Sequence, residues 1–467
     1  MNLPKTSRRR FLQAAGIGAL NLAIPGLVIG KDKFDASGKA VASKKCCIFL
    51  LLCGGPSHLD TWDLKPDAPS EIRGPYKPIS TKVPGMQLSE LHPMLAKVTD
   101  QFCLIRSMTH PAPIANHFDA MHNLLSGQVV ERVKEGEPDS LPYLGSVVAK
   151  LLPSERNLVS NAWLIRCVGP PVFCAPNIGS GGYLGSAYAP VFIGSAENHP
   201  AMPNFRPPEI YDMGDPARLW ERRKLLRALE SDRLAENPAK DWGELREMAY
   251  DAMTRPEGRQ AFELNREPLS VRERYGMHPL GQNLLLARRM VEAGVRFVTV
   301  NGWVGPAPDA GGGPPSSSWD MHGGHMGMGN AFGSGSYGMG WCLPRLDQAL
   351  SALLGDLKDR GMLDDTLVVA VGEFGRSPVI QTKGEPGRIH WPQCFSAIAA
   401  GCGIRGGAIY GESDKTGSAP VSNPVTPQDL HATVLHALGV PLTDLTRNTG
   451  IIRPPFSAGK PVMGLFG

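Results

Sequence analysis

The segment Lys45 to Cys53 reads KCCIFLLLC and stops at Gly54-Gly55. This unbroken apolar run is too short to cross a membrane as a helix and lacks the alternation of a strand with one wet face. It predicts a strand buried on both faces. Phe102 to Arg106 has the same design and leads into Ser107-Met108-Thr109-His110. Val295 to Val300 follows a helical stretch from Gly281 to Ala293, and Asp365 to Val371 follows the amphipathic run Leu343 to Arg360. Helix followed by strand, repeated, predicts an α/β protein whose mainly parallel sheet is flanked by helices. In the Leu343 to Arg360 run, Leu346, Leu350, Leu353, Leu354 and Leu357 form the inward stripe. Asp347, Asp356 and Lys358 read as solvent-facing, and Gly361 as the C-cap. Pro427 to Gly439 reads as a final helix with Thr426 as N-cap and Pro427 at its first position.

Residues 43–467 are expected to form one α/β domain with insertions. The stretch 170–215 is rich in Gly, Pro, Tyr and Asn, and 216–274 is dominated by Arg, Glu, Ala and Leu. Together they predict a loop-rich and helical insertion at about 170–274, and 302–340 predicts a Gly-rich loop beside the site.

Residues 1–42 read as a twin-arginine signal peptide and short linker. Lys5 and Arg8-Arg9-Arg10 precede a mostly apolar stretch from Phe11 to Gly30, and Ala40-Val41-Ala42 offers a cleavage signal before Ser43. Gly16, Gly18, Asn21, Pro25 and Gly26 make the stretch a poor permanent span. The precursor's partner is then the twin-arginine export machinery, and the mature part is expected in the periplasm or outside the cell without spanning a membrane.

The whole chain carries 48 Lys and Arg against 44 Asp and Glu, and removal of residues 1–42 leaves 41 against 42. A neutral mature protein without a basic stripe gives no footprint for nucleic acid. Nine cysteines without a CxxC pattern do not make a disulfide framework. Cys46, Cys47 and Cys53 read as small buried hydrophobes, while Cys167 with Cys174 and Cys394 with Cys402 are spaced so that either pair can form.

In parallel sheets, ligands bind at the carboxyl ends of the strands. Here those ends deliver acids and histidines. The first run is followed by His58, Asp60 and Asp63; the second by Ser107, Thr109 and His110, then Asn116, His117, Asp119 and His122. Asp320, His322 and His325 follow Val300, Glu373 and Arg376 follow Val371, and His390-Trp391 precedes a further apolar stretch. One histidine alone is more often structural. Five such groups predict a divalent-metal or acid–base centre, and mixed imidazole and carboxylate donors suit zinc, manganese or iron rather than calcium.

The segments GGPSHLDTWDLKPDAPSEIRG, LIRSMTH, WDMHGG, DDTLVVAVGEFGRSP, HWPQCF and AGCGIRGGAIYGESDKTG resemble those of the DUF1501 family of exported proteins. That resemblance implies an alkaline phosphatase-like fold, in the superfamily that also holds the sulfatases. A strand in those enzymes ends in a Ser-Asp-His-Gly-like segment whose Asp and His bind metal. Val371-Gly372-Glu373-Phe374-Gly375 stands in that context, with Glu373 for the acid and Phe374 where the histidine is lost. His390 resembles the late metal histidine, and Thr109 to Gly127 is similar to the nucleophile region of the phosphodiesterase branch. Cys342-Leu343-Pro344-Arg345 is one residue short of the sulfatase signal and lies too late in the chain.

The expected function is therefore metal-dependent hydrolysis of a phosphate or sulfate ester. Thr109, or else Ser107, would be the nucleophile, with His110 and Arg376 in the catalytic set, and Arg376 would hold the oxyanion. His58, Asp60, Asp63, Asp320, His322, Glu373 and His390 are the candidate metal ligands. The alternative is a non-catalytic exported protein that binds a glycan or another partner in a degenerate cleft.

Overall fold

The computed structural model describes residues 44–111, 114, 116–127, 141–154, 159–165, 180–185, 188–211, 218, 221, 224–225, 260–308, 318–440 and 459–467. The leader, Cys167 with Cys174 and most of the 170–274 insertion lie outside them. Lys44–Gly467 forms one compact unit.

Among the described residues, eight strands build the main sheet: β1 Cys46–Leu51, β2 Phe102–Met108, β3 Asn161–Leu164, β4 Val191–Ile193, β5 Phe297–Asn301, β6 Thr366–Val371, β7 Phe395–Ala400 and β8 Ala408–Tyr410. Their spatial order is β8-β2-β7-β6-β1-β5-β3-β4. β1 lies at the centre, parallel to β5 through Leu51 opposite Asn301 and to β6 through Leu51 opposite Val371. Among these eight, β7 is the reversed strand, antiparallel to both β2 and β6.

Alternation explains the unbroken hydrophobicity of β1. Cys46, Ile48, Leu50 and Leu52 enter one apolar core, while Cys47, Phe49, Leu51 and Cys53 enter a second on the opposite face. A fully buried Phe or Leu of this kind contributes about 1.5–3 kcal/mol relative to an exposed one, so a polar residue anywhere in β1 would be costly.

The flanking helices are α1 His117–Ser126, α2 Leu144–Leu151, α3 Pro279–Ala293, α4 Met339–Asp359 and α5 Pro427–Ala437. Asn116 caps α1 by accepting the Asp119 N–H, and Thr426 with Asp429 forms a capping box on α5. α4 begins four residues before the expected Leu343 and presents its leucine stripe to the sheet.

Two expectations for α4 are corrected. Asp347 and Asp356 are buried rather than solvated. Asp347 accepts the backbone N–H groups of Met94 and Leu95 at 2.9 and 2.6 Å. Asp356 binds Arg288, Arg360, Arg274 and the Tyr275 hydroxyl. A buried carboxylate is tolerated where such donors surround it, and these donors come from segments remote in sequence. Cys394 and Cys402, whose spacing leaves pairing open, are free buried thiols near opposite ends of β7.

Candidate metal centre

The carboxyl edge of the central strands carries the site. Gly54 and Gly55 follow β1, His117 opens the helix after β2, Asp320 and His322 lie beyond β5, and Glu373 and Arg376 follow β6. β7 enters the sheet at this edge because it runs backwards, so His390, which precedes it, arrives at the same place.

His117, Asp320, His322 and His390 each present a ligand atom, and these atoms all lie within 4.8 Å of one another. His117 Nε2 is 3.0 Å from His390 Nε2 and 3.4 Å from Asp320 Oδ2. His322 Nδ1 meets Asp320 Oδ1, so its other ring nitrogen is left for the cluster. His117, Asp320 and His322 are buried, and His390 is partly so.

Charge around Asp320 is strongly one-sided. Burial acts to raise its pKa, but the Arg376 guanidinium and hydrogen bonds from His117 and His322 overcome that and hold the carboxyl well below the usual range. Burial acts to lower the pKa of His117, yet Asp320 and Glu373 together raise it. His322 is lowered, first by burial and then by Arg376, against the pull of Asp320.

Glu373 stands behind His117 rather than in the cluster. Its Oε1 is 2.6 Å from His117 Nδ1, and its two oxygens accept the Gly54 N–H at 2.9 and 3.1 Å. Only glycine suits position 54: φ is +115°, and a Cβ there would come within 2.3 Å of the Asp320 backbone nitrogen. Phe374, fully buried, lies against two of the imidazoles, with ring centroids 4.8 Å from His117 and 4.6 Å from His390.

Arg376 is fully buried. It donates to Gly55 O at 2.9 Å, Arg388 O at 3.1 Å, Asp320 Oδ1 at 2.6 Å and Gly54 O, so its nitrogens are engaged within the protein. His110 bonds Asn123 Oδ1 at 3.0 Å and Glu373 O at 2.5 Å, and burial lowers its pKa. Ser107 Oγ donates to Asn423 O at 2.6 Å. Thr109 is half-buried and donates its backbone N–H to Val425 O.

The acids and histidine after β1 lie elsewhere. Asp60 pairs with Arg388, and Asp63 is bonded by Ser413 with Lys65 and Arg106 nearby. His58 bonds Gly417 O at 2.7 Å. None of these three belongs to the four-residue cluster. His117, absent from the expected ligand set, does; its signal in the sequence is the Asn116-His117 pair, a helix cap followed by a histidine.

The Protein of unknown function (DUF1501) family model matches residues 44–452. The chain belongs to the DUF1501 family. No curated protein matches this family member. Its backbone is similar to that of the lipoteichoic acid synthase LtaP from Listeria monocytogenes, at 12% identity and a TM-score of 0.37 over 86% of this chain and 73% of that one. It is also similar to an alkaline phosphatase from the Antarctic bacterium TAB5, at 12% identity and a TM-score of 0.38 over 86% and 100% of the two chains. For a phosphonate monoester hydrolase from Silicibacter pomeroyi the identity is 12% and the TM-score 0.36, over 91% and 76%. The family member's own geometry therefore has to carry any statement about chemistry.

Proposed function

We propose that the protein is an exported, metal-dependent hydrolase of phosphate or sulfate esters. The observation that carries this reading is the convergence of His117, Asp320, His322 and His390, drawn from three separate segments, with ligand atoms within 4.8 Å of one another. Three imidazoles and one carboxylate fit a divalent transition ion, zinc or manganese before calcium. Such an ion supplies Lewis acidity toward an ester oxygen when bound.

Around it, Asp320 orients His322, and Arg376 anchors Asp320. In the proposed reaction a water oxygen forms a bond to phosphorus or sulfur as the bond to the ester oxygen breaks, and the proton that the water loses leaves with that oxygen as an alcohol; with Thr109 as nucleophile its hydroxyl proton goes to the alcohol, the first product is the threonine ester, and water then hydrolyses it. Thr109 lies just beyond β2 at the site's edge of the sheet, and Ser107 is engaged with Asn423.

Metal content and ester turnover of protein recovered from its native compartment test the reading. The expected outcome is a bound divalent ion, hydrolysis of at least one phosphate or sulfate ester, and loss of both in His322→Ala. Intact protein that binds no ion and turns over no ester in a broad panel would overturn it. The second reading, a non-catalytic binding protein, is favoured by Phe374, whose ring packs against His117 and His390 and narrows the room for a substrate.

A further inference from the structure

Glu373 has a carboxylate with two partners and no freedom. It is fully buried after β6. Both oxygens face the Gly54 N–H, and Oε1 also faces His117 Nδ1 at 2.6 Å. On the other side of that imidazole, Nε2 faces His390 and Asp320. A carboxylate can only accept here, so Glu373 holds a hydrogen on His117 Nδ1, and it is Nε2, facing Asp320, that gives up its hydrogen when the ring takes an ion. Phe374 packs on the ring and limits its tilt.

We infer that Glu373 is a positioning residue of the metal centre, locking His117 in the tautomer that presents Nε2 to the ion, and not itself a ligand. This rests on the proposed metal-binding reading. Carboxylate partners of ligating histidines act in this way generally, and their loss typically lowers metal affinity by about 10- to 100-fold.

Geometry also says which variant tests this. A glutamine can keep its oxygen in the place of Oε1, which faces the Gly54 N–H and His117 Nδ1 together, and so need not change the tautomer. Glu373→Leu removes the acceptor from Nδ1 while Asp320 Oδ2 still faces Nε2, and the hydrogen of the neutral ring moves to Nε2. That variant inverts the tautomer without removing a ligand.

The experiment has two readouts on the full protein. Nitrogen chemical shifts of ¹⁵N-histidine-labelled, chelator-treated protein report the tautomer of His117, assigned by the signal that disappears in His117→Gln. Wild type is expected to carry a hydrogen on Nδ1, and Glu373→Leu to carry one on Nε2 alone. Titration with Zn²⁺ is then expected to give an affinity about 10- to 100-fold lower for the variant at unchanged stoichiometry, with far-UV circular dichroism showing both metal-free proteins folded. An unchanged tautomer in Glu373→Leu, or an unchanged Zn²⁺ affinity, overturns the inference. Loss of one ligand from the Co²⁺ absorption spectrum of the variant would make Glu373 a ligand and overturn it as well. Should wild type bind no ion, the proposed hydrolase falls, while the tautomer readout alone still decides whether Glu373 orients His117.

Discussion

Asp60 and Arg388, 328 positions apart, pair at 2.7 Å with neither side chain exposed to solvent. The same guanidinium donates to the carbonyls of Ile72 and Ser377, and Ser57 donates to the carboxylate. Removing one partner strands a buried charge. Asp60→Ala should therefore lose about 3–5 kcal/mol of stability, read as a lower urea midpoint at an unchanged slope. A loss below about 1 kcal/mol would mean that the pair is neutral to folding. Because the Arg388 N–H also bonds Met321 O, beside His322, the variant should bind metal more weakly too.

Acid should destabilise the protein through His92. This ring is fully buried, neither nitrogen has a hydrogen-bond partner, and burial pushes its pKa down to about 3 from 6.5. Asp347 Oδ1 lies 3.9 Å away and gives little help in acid, since burial raises its own pKa to about 6. The folded pKa of His92 is depressed, so below pH 6.5 the unfolded chain takes up a proton that the folded chain refuses. Stability is then lost as pH falls from 6.5 toward 3, by about 1.4 kcal/mol per unit for this group. Urea midpoints measured between pH 7 and 5 should fall for the wild type and fall less for His92→Leu. Equal slopes would exclude His92 as the source.

Cys46, Cys47, Cys53, Cys103, Cys342, Cys394 and Cys402 are all free and buried. Burial pushes the Cys46 and Cys103 thiols up to about 11 and those of Cys394 and Cys402 to about 12. A protonated, shielded thiol is a poor nucleophile. A thiol reagent at pH 8 should leave these seven unmodified in native protein and label them all in denaturant. Rapid native labelling of any of them, identified by peptide mapping, would contradict this burial.

The leader gives a prediction outside the described residues. Replacing Arg8 and Arg9 together with Lys conserves charge but removes the paired guanidinium groups. Precursor should accumulate in the cytoplasm, as seen by fractionation and immunoblotting. Undiminished periplasmic protein would refute the twin-arginine reading.

Much of the sheet was legible because a strand buried on both faces carries its signal in its own residues. KCCIFLLLC needs no partner to be recognised, and Thr426-Pro427 announces its helix locally. The site was legible only in part. Asp320, His322, Glu373 and His390 were marked by their places near strand ends, but whether Glu373 touches an ion or a histidine depends on Gly54, which lies 319 positions away. Asp60 and Asp63 looked equivalent to Asp320 in sequence. They differ because Arg388 and Ser413 reach them in space. Asp347 and Asp356 were misread for the same reason, since a helix pattern shows which face is polar but not what meets it.

The reversed direction of β7 has a consequence for the order of events in making this protein. His390 stands 273 positions after His117, so a nascent chain holds three of the four ligands long before the last one exists. The complete donor set appears only when β7 has paired between β2 and β6. An ion held there binds the finished fold and not its precursors, and at 100 times its dissociation constant adds about 2.7 kcal/mol to native stability. Metal capture would thus report that the centre of the sheet has closed, and a chain cut before residue 390 would fold, if at all, without that reward.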